Sequence, residues 1–318
     1  MHDIVGGCLL RKVGTMKLKQ LLQKAAELDN KTVAVAHAED DEVLQAVKLA
    51  VDKQFARFLL IGHREKIRHM MTEQNISKRH VDIIHSESPA DSARIAVQAV
   101  KSGNADVLMK GNVPTAVLLK AVLNKEYGLR SSHVLSHVAA FEVSGFERLI
   151  YVTDAAMNIS PKLDELKQIL ENAVGVARAV GVQMPKAACL AAVETVNPAM
   201  EATLNAAALT QMNHRGQIKN CIVDGPLALD NAISPLAARH KNISGIVAGE
   251  ADILLVPSIE TGNVLYKSLI HFAGAKVGAI LAGAKAPIAL TSRADSAENK
   301  LYSIALALCT SEARQEEE

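Results

Sequence analysis

Strand-like and helix-like runs alternate along almost the whole chain, and this alternation narrows the fold more than any other feature. Thr32-Val33-Ala34-Val35-Ala36 reads as a buried strand. Asp40 to Asp52 then carries Val43, Leu44, Val47 and Val51 at helical spacing. Phe58 to Gly62, Val81 to Ile84 and Asp106 to Met109 repeat the strand pattern, each followed by a helical one. Ser88-Pro89-Ala90-Asp91 is a helix start: a hydroxyl cap, a proline in the first turn, then an acid. Later, Ser160-Pro161 opens a helix to about Val180, and Asn197-Pro198 opens another. Further strands are expected at Ala187 to Ala192, Cys221 to Val223, Ile253 to Val256, Val277 to Leu281 and Ile288 to Leu290. Repeated strand–helix units imply an α/β fold of largely parallel sheets with helices on both faces.

The alternation breaks once. His133 to Phe141 and Leu149 to Thr153 are strand-like, and no helix fits in the Glu142–Arg148 link. This reads as a crossing into a second lobe. The expected division is a first α/β lobe of 16–146 plus 287–318 and a second of 147–286. Residues 1–15 are expected to be a lead, either disordered or read from an upstream start.

Composition removes several function classes. The net charge is +1, without the basic excess that nucleic-acid or membrane-surface binding requires. There is no tryptophan and aromatics make up 3%, which argues against base-stacking platforms. The four cysteines, Cys8, Cys189, Cys221 and Cys309, form no C-x-x-C pair, so a reducing compartment and no disulfide framework are expected. Metal-ligand spacing is absent. No apolar run is long and charge-free enough to span a bilayer. Ile4 to Leu10 precedes Arg11 and Lys12, the wrong order for a signal peptide, so a cytoplasmic location is expected.

In open α/β sheets ligands bind beyond the carboxyl ends of the strands. Those ends carry Lys110-Gly111-Asn112, Thr153-Asp154, Glu194-Thr195, Asp224-Gly225, Ser258 to Asn263 and Thr291-Ser292-Arg293. Glycine admits a close backbone approach, and lysine and arginine supply charge for a phosphate. Ala286 to Ser296 reads as a strand delivering Ser292 and Arg293 to a helix start, where free N–H groups and the dipole favour an anion. The competing reading is that Ser292 or Ser296 only caps that helix. No P-loop, G-x-G-x-x-G or G-x-S-x-G motif occurs. The pattern alone supports an enzyme acting on a phosphorylated or anionic small molecule.

Several segments together resemble phosphate butyryltransferases. They are Ala105 to Gly111, Val122 to Arg130, Leu135-Ser136-His137-Val138, Thr153 to Pro161, Asp224 to Asp230, Ala248 to Asp252, Glu260 to Lys267, and Ser292-Arg293. The match runs from Met16 to about Leu308. The resemblance implies the phosphate acetyl/butyryltransferase family: two α/β lobes with a cleft between them, a likeness to isocitrate and isopropylmalate dehydrogenases, and a homodimer or larger homo-oligomer. The implied reaction is reversible acyl transfer between acyl-CoA and inorganic phosphate, with CoA as substrate and no cofactor or metal. Ser292 and Arg293 would stabilise the oxyanion. Lys110, Arg130 or Lys267 would hold the leaving phosphate. Gly111, Asn112, Ser136, His137, Asn158, Asp224, Gly262 and Asn263 complete the expected phosphate and CoA contacts.

One position departs from the pattern. Acetyl members have an aspartate seven residues after the motif serine, and here that position is Asn299. The base is then Asp154 or Asp295, or neighbouring cations lower the thiol pKa. Asp154 is the expected base. The readings to be separated are a short-chain butyryl or branched-chain enzyme, a phosphate acetyltransferase, and a decarboxylating dehydrogenase-like or non-catalytic binding protein on the same fold.

Overall fold

All eleven strand-like runs form strands. The computed structural model describes residues 16–291 and 295–315, so the 1–15 lead lies outside the described residues. In chain order the elements are α1 (Leu18–Ala26), β1 (Thr32–Ala36), α2 (Asp41–Asp52), β2 (Arg57–Gly62), α3 (Arg64–Glu73), β3 (Val81–His85), α4 (Pro89–Lys101), β4 (Val107–Lys110), α5 (Thr115–Val122), β5 (Ser136–Glu142) and β6 (Ile150–Thr153). There follow α6 (Leu163–Ala179), β7 (Lys186–Leu190), α7 (Glu201–His214), β8 (Ile222–Leu227), α8 (Leu229–Ile233), α9 (Pro235–His240), β9 (Ile253–Leu255), α10 (Ile259–His271), β10 (Lys276–Ala282), β11 (Ile288–Ala289) and α11 (Ala297–Gln315). Local chemistry sets many of the starts. Asp40 accepts from the Val43 N–H at the head of α2, and Ser88 accepts from Asp91 at the head of α4, with Pro89 in the first turn.

The strands form a single sheet in the order β3-β2-β1-β4-β11-β10-β5-β6-β9-β7-β8. This corrects the expectation of separate sheets. One parallel block holds β3, β2, β1, β4 and β11, and a second holds β6, β9, β7 and β8. Antiparallel pairing joins them: β10 pairs β11 on one side and β5 on the other, and β5 pairs β6. The β5–β10 ladder runs from Glu142 opposite Lys276 to Ser136 opposite Ala282. The cause is visible in the chain. A parallel return needs a crossover of a dozen residues or more, and the Glu142–Arg148 link is shorter than that. The direction therefore reverses, and β5 becomes a central strand.

The two faces of the sheet are covered differently. On one, Val35, Met109, Val138, Ile280 and Ala289 meet α1, α2, α6 and α11 in one continuous core that runs from Leu18 to Cys309. On the other face there are two separate cores. Ala34, Leu108, Leu281 and Ile288 pack under α4 and α5. Ala139, Phe141, Val152 and Ala279 form the other, against which Leu265, Tyr266 and Leu269 of α10 pack. Leu281 and Ala279 alternate on β10 with Ile280, so both split cores lie on the same side. The seam between them falls over β10 and β5. The last helix, α11, packs on α1, α2, α6, β10 and β11. Cys189, Cys221 and Cys309 are free and buried, and burial raises all three thiols, Cys221 to about 11 and Cys309 to about 12.

Candidate active site

Period-two alternation decides which strand-end residues reach the seam. On β4, Leu108 belongs to the α4/α5 core, so Lys110, two residues on, faces the same side. On β5, Ala139 and Phe141 belong to the α10 core, so His137 faces that side too. Lys110 is buried, and its Nζ donates to the Gly111 carbonyl at 3.2 Å. Register pairs Ala289 with Met109, so Lys110 and Leu290 leave their strands side by side. Thr291 follows and is buried. Ser292 and Arg293, the expected oxyanion pair, lie outside the described residues.

The Lys110-Gly111-Asn112 turn is held by the end of β1. Gly111 N–H donates to Ala36 O at 2.9 Å, and Asn112 N–H donates to His37 O at 2.7 Å. A Cβ on Gly111 would stand 2.2 Å from His37 O, so only glycine fits. Asn112 Nδ2 donates to Glu39 O at 3.3 Å, and Glu39 in turn sits 3.3 Å from His37 Nδ1. Neither His37 nor Glu39 was singled out from the sequence.

A second turn closes the other side. Asp154 is buried and saturated. Its carboxylate accepts from the N–H groups of Ala156 at 2.9 Å, Met157 at 3.0 Å and Asn158 at 3.2 Å, and from Asn158 Nδ2 at 2.6 Å. Asn158 also donates to Leu135 O at 2.8 Å, which ties this turn to the segment before β5. Thr153 Oγ1 donates to His137 O at 2.9 Å. Helix α10 rests on the turn through Gly262, whose added Cβ would meet Asp154 O at 2.3 Å, and Asn263 Nδ2 donates to Ala155 O at 3.3 Å. Gly262 and Asn263 thus position the helix on the Asp154 turn.

One helical turn further along α10, Tyr266 stacks edge-on against His137 at 5.6 Å and Phe141 at 5.2 Å between ring centroids. Burial pushes the His137 imidazole below its ordinary pKa, and the nearby Asp154 charge opposes this. Its Nδ1 is buried with no hydrogen-bond partner among the described residues. Burial raises the Tyr266 phenol, and the Asp295 charge adds to the rise. Tyr266 thereby joins the His137–Asp154 cluster to the first described residue after Arg293. It lies within the Glu260–Lys267 segment that carries the family resemblance, and its spacing of three and four residues from Asn263 and Gly262 is the signal that places it on their face.

Other expected residues do not gather here. Ser136 precedes His137 and turns to the opposite face, where its Oγ accepts from Asn172 Nδ2 of α6 at 2.9 Å. Asp224 is on β8, the edge strand at the far side of the second parallel block, away from the seam over β10 and β5. Its Oδ1 accepts from the Gly225 N–H at 2.8 Å. Arg130 and Lys267 are exposed, on the segment before β5 and on α10. Asn299 Oδ1 accepts from the Val277 N–H at 3.2 Å, so this amide pins α11 to β10. Ser296 Oγ accepts from the Asn299 N–H at 3.2 Å, a capping bond. Among the described residues no group of three or more His, Cys, Asp or Glu could hold a metal ion, and no helix is long and apolar enough to cross a membrane.

Comparison with known proteins adds an independent line. The profile described as "Phosphate acetyl/butaryl transferase" matches residues 17–92 and 85–308. The chain is 67% identical over 297 residues to the probable phosphate butyryltransferase of Bacillus subtilis, covering 93% of this chain and 99% of that protein. It is 47% identical to the phosphate butyryltransferase of Clostridium beijerinckii, over 91% of this chain and 95% of that one. Among solved structures, a branched-chain phosphotransacylase from Enterococcus faecalis matches with a TM-score of 0.78 and 38% identity, over 88% of this chain and 99% of the other. With a family profile spanning nearly the whole chain and relatives covered almost end to end, the chain belongs to the phosphate acetyl/butyryltransferase family.

Proposed function

We propose that this chain catalyses reversible acyl transfer between a short-chain acyl-CoA, butyryl or branched-chain, and inorganic phosphate, giving acyl phosphate and CoA. The observation that carries this is the 67% identity to a probable phosphate butyryltransferase across 99% of that protein's length. The split face of the sheet supports a substrate cleft between two lobes, with its floor on β10 and β5. Lys110 on one wall and His137 with Tyr266 on the other flank it.

In the acyl-phosphate direction a CoA sulfur attacks the carbonyl carbon, the oxygen gains charge, and phosphate leaves. Arg293 and the Ser292 hydroxyl are proposed as oxyanion donors. Lys110 supplies a desolvated cation for phosphate, and exposed Arg130 and Lys267 suit the outer anionic groups of CoA. The four donors already on Asp154 favour its organising the 154–158 turn over its serving as the base. Thiol activation then falls to the cations beside the bound sulfur. CoA enters as a substrate, and no further cofactor is proposed.

We also assign a cytoplasmic location and a homodimer or larger homo-oligomer. Exposed Val196, Leu204, Leu236 and Ile246 are apolar surface that a second copy would cover. The test of the reaction is phosphate-dependent CoA release across C2 to C5 acyl-CoAs. Butyryl-CoA or a branched C4–C5 substrate should exceed acetyl-CoA by tenfold or more in kcat/KM. Preference for acetyl-CoA would make this a phosphate acetyltransferase, a reading favoured by 44% identity to the phosphate acetyltransferase of Thermotoga maritima. Absence of phosphate-dependent release would refute the proposal.

A further inference from the structure

Strand β1 lies at the topological switch point of the first parallel block. The chain runs outward from β1 to β2 and β3, then returns to place β4 on the other side of β1. A crevice opens where connections leave neighbouring strands in opposite directions, and ligands of open α/β sheets bind there. Ala36 pairs with Lys110 in register, so Lys110-Gly111-Asn112 forms one lip of this crevice and His37-Ala38-Glu39 the other.

The His37 lip is costly to build. His37 is left-handed, with φ of 59°, a conformation that residues with a Cβ disfavour. Glu39 is buried with its carboxylate only partly satisfied. Its Oε1 accepts from the His63 N–H at 2.7 Å. Its Oε2 stands 3.3 Å from His37 Nδ1 and has no aligned hydrogen-bond partner among the described residues. Burying acceptor capacity that is left unfilled is unfavourable. Space for this carboxylate exists only because position 62 is glycine, where an added Cβ would stand 2.1 Å from Oε2. The His37 ring also meets α4: Nδ1 is 3.3 Å from Ser92 Oγ, which is 2.6 Å from Ser86 Oγ, and both serines are buried.

Helix capping does not account for this lip, because Asp40 caps α2 through its own side chain. What the lip does is grip Asn112 twice. The left-handed turn aims His37 O at the Asn112 N–H, 2.7 Å away, and Glu39 O accepts from Asn112 Nδ2 at 3.3 Å.

We infer that His37 and Glu39 are positioning residues for phosphate, a role that rests on the Lys110-Gly111-Asn112 turn holding phosphate in the reaction proposed above. They touch no substrate. The Glu39 carboxylate, seated against Gly62 and tied to His63, fixes the path of the 37–39 segment, and that segment fixes Asn112. A turn released from this grip carries Lys110 away from the phosphate, while CoA, held by other elements, is unaffected.

The test is steady-state kinetics with phosphate and butyryl-CoA varied independently, and thermal unfolding of each variant. Glu39→Ala should raise the KM for phosphate roughly tenfold and leave the KM for butyryl-CoA within about twofold of the parent. Glu39→Gln keeps the shape and the acceptor for His63, and should restore the parent's phosphate KM. His37→Val should behave as Glu39→Ala does, because a β-branched residue resists positive φ, whereas His37→Asn tolerates it and should stay near the parent. A merely structural role would lower Tm and turnover without separating the two KM values. The parent's phosphate KM in Glu39→Ala or in His37→Val, or an equal rise in both KM values, would overturn the inference. Lys110→Met tests the reading beneath it. If that variant leaves the phosphate KM unchanged, the turn does not hold phosphate and both fall; if it raises the KM while Glu39→Ala does not, only the positioning role falls.

Discussion

Replacing Gly262 with alanine adds a methyl group where there is no room for one. Its Cβ would stand 2.3 Å from Asp154 O, 2.9 Å from Ala155 Cα and 2.9 Å from a Val256 methyl. Two of the three are backbone atoms in a turn stapled by the Asp154 carboxylate, so the helix must yield. Ordinary contact begins near 3.4 Å, so α10 has to retreat by about 1 Å. Overpacking of this kind costs about 1–3 kcal/mol, and the better helix propensity of alanine returns about 1 kcal/mol. The net is a loss of up to about 2 kcal/mol and a Tm lower by a few degrees. The larger effect is on rate. Tyr266 rides on the same helix one turn away, against His137, and a displacement of about 1 Å at a reacting site costs on the order of 10²-fold in turnover. Gly175→Ala is the internal control, since nothing lies within 4 Å of its Cβ and the propensity gain should raise the Tm instead. Both are read by thermal unfolding and by thiol release from butyryl-CoA with saturating phosphate. A Gly262→Ala enzyme with the parent's Tm and turnover would refute the close-packing account of this helix.

Arg293→Ala should lower turnover by roughly 10², the scale of losing one oxyanion donor, and steady-state kinetics on butyryl phosphate check it. Asp154→Asn should reduce both Tm and turnover, because its amide turns an NH₂ group toward N–H donors; Asp295→Asn should cost less turnover. If Asp154 only organises the turn, the acidic limb of the pH–rate profile stays where the parent has it, and a shift of that limb would restore Asp154 as the base. His137 gives a pH signature in stability. Its folded pKa lies below the unfolded value of about 6.5, so the unfolded chain binds the extra proton first. The stability it contributes is complete above that value and is lost as the pH falls through about 6.5 toward the folded pKa. Thermal unfolding between pH 5 and 8 should show this slope, and His137→Phe should flatten it.

The strands were legible because each is an apolar run bounded by turn residues, as at Phe58 to Gly62 and Ile253 to Val256. Their assembly into one sheet was not. The pairing of β5 with β10 joins residues about 140 positions apart, and no local pattern encodes a partner so distant. The start of α7 was also misplaced. Asn197-Pro198 looked like its opening, but Asn197 accepts from the Ala199 N–H and exchanges bonds with Thr203, forming a turn that delays the helix to Glu201. At the site, Lys110 and Asp154 were readable as strand-end polar residues, whereas His137 was pointed to only by the family resemblance. Ser136 could have been separated from His137 by alternation alone, because neighbours in a strand face opposite sides. Asp224 could not have been placed at the sheet edge without the strand order. His37 and Glu39 act through backbone contacts to Gly111 and Asn112 that sequence does not display.

The unequal covering of the sheet has a mechanical meaning. A plate bonded along the whole of one side and slotted on the other is stiff in its plane and bends most easily across the slot. The continuous core beneath α1, α2, α6 and α11 is the bonded side, and the seam over β10 and β5 is the slot. Any closure of the cleft on a substrate would have to flex one unbroken plate, because no tether separates two bodies. The seven-residue ladder between β5 and β10 is the axis of that flexure and must keep its hydrogen bonds throughout. Its amides should therefore exchange with solvent as slowly in the free enzyme as in the CoA complex, while protection changes on α5 and α10 at the two lips.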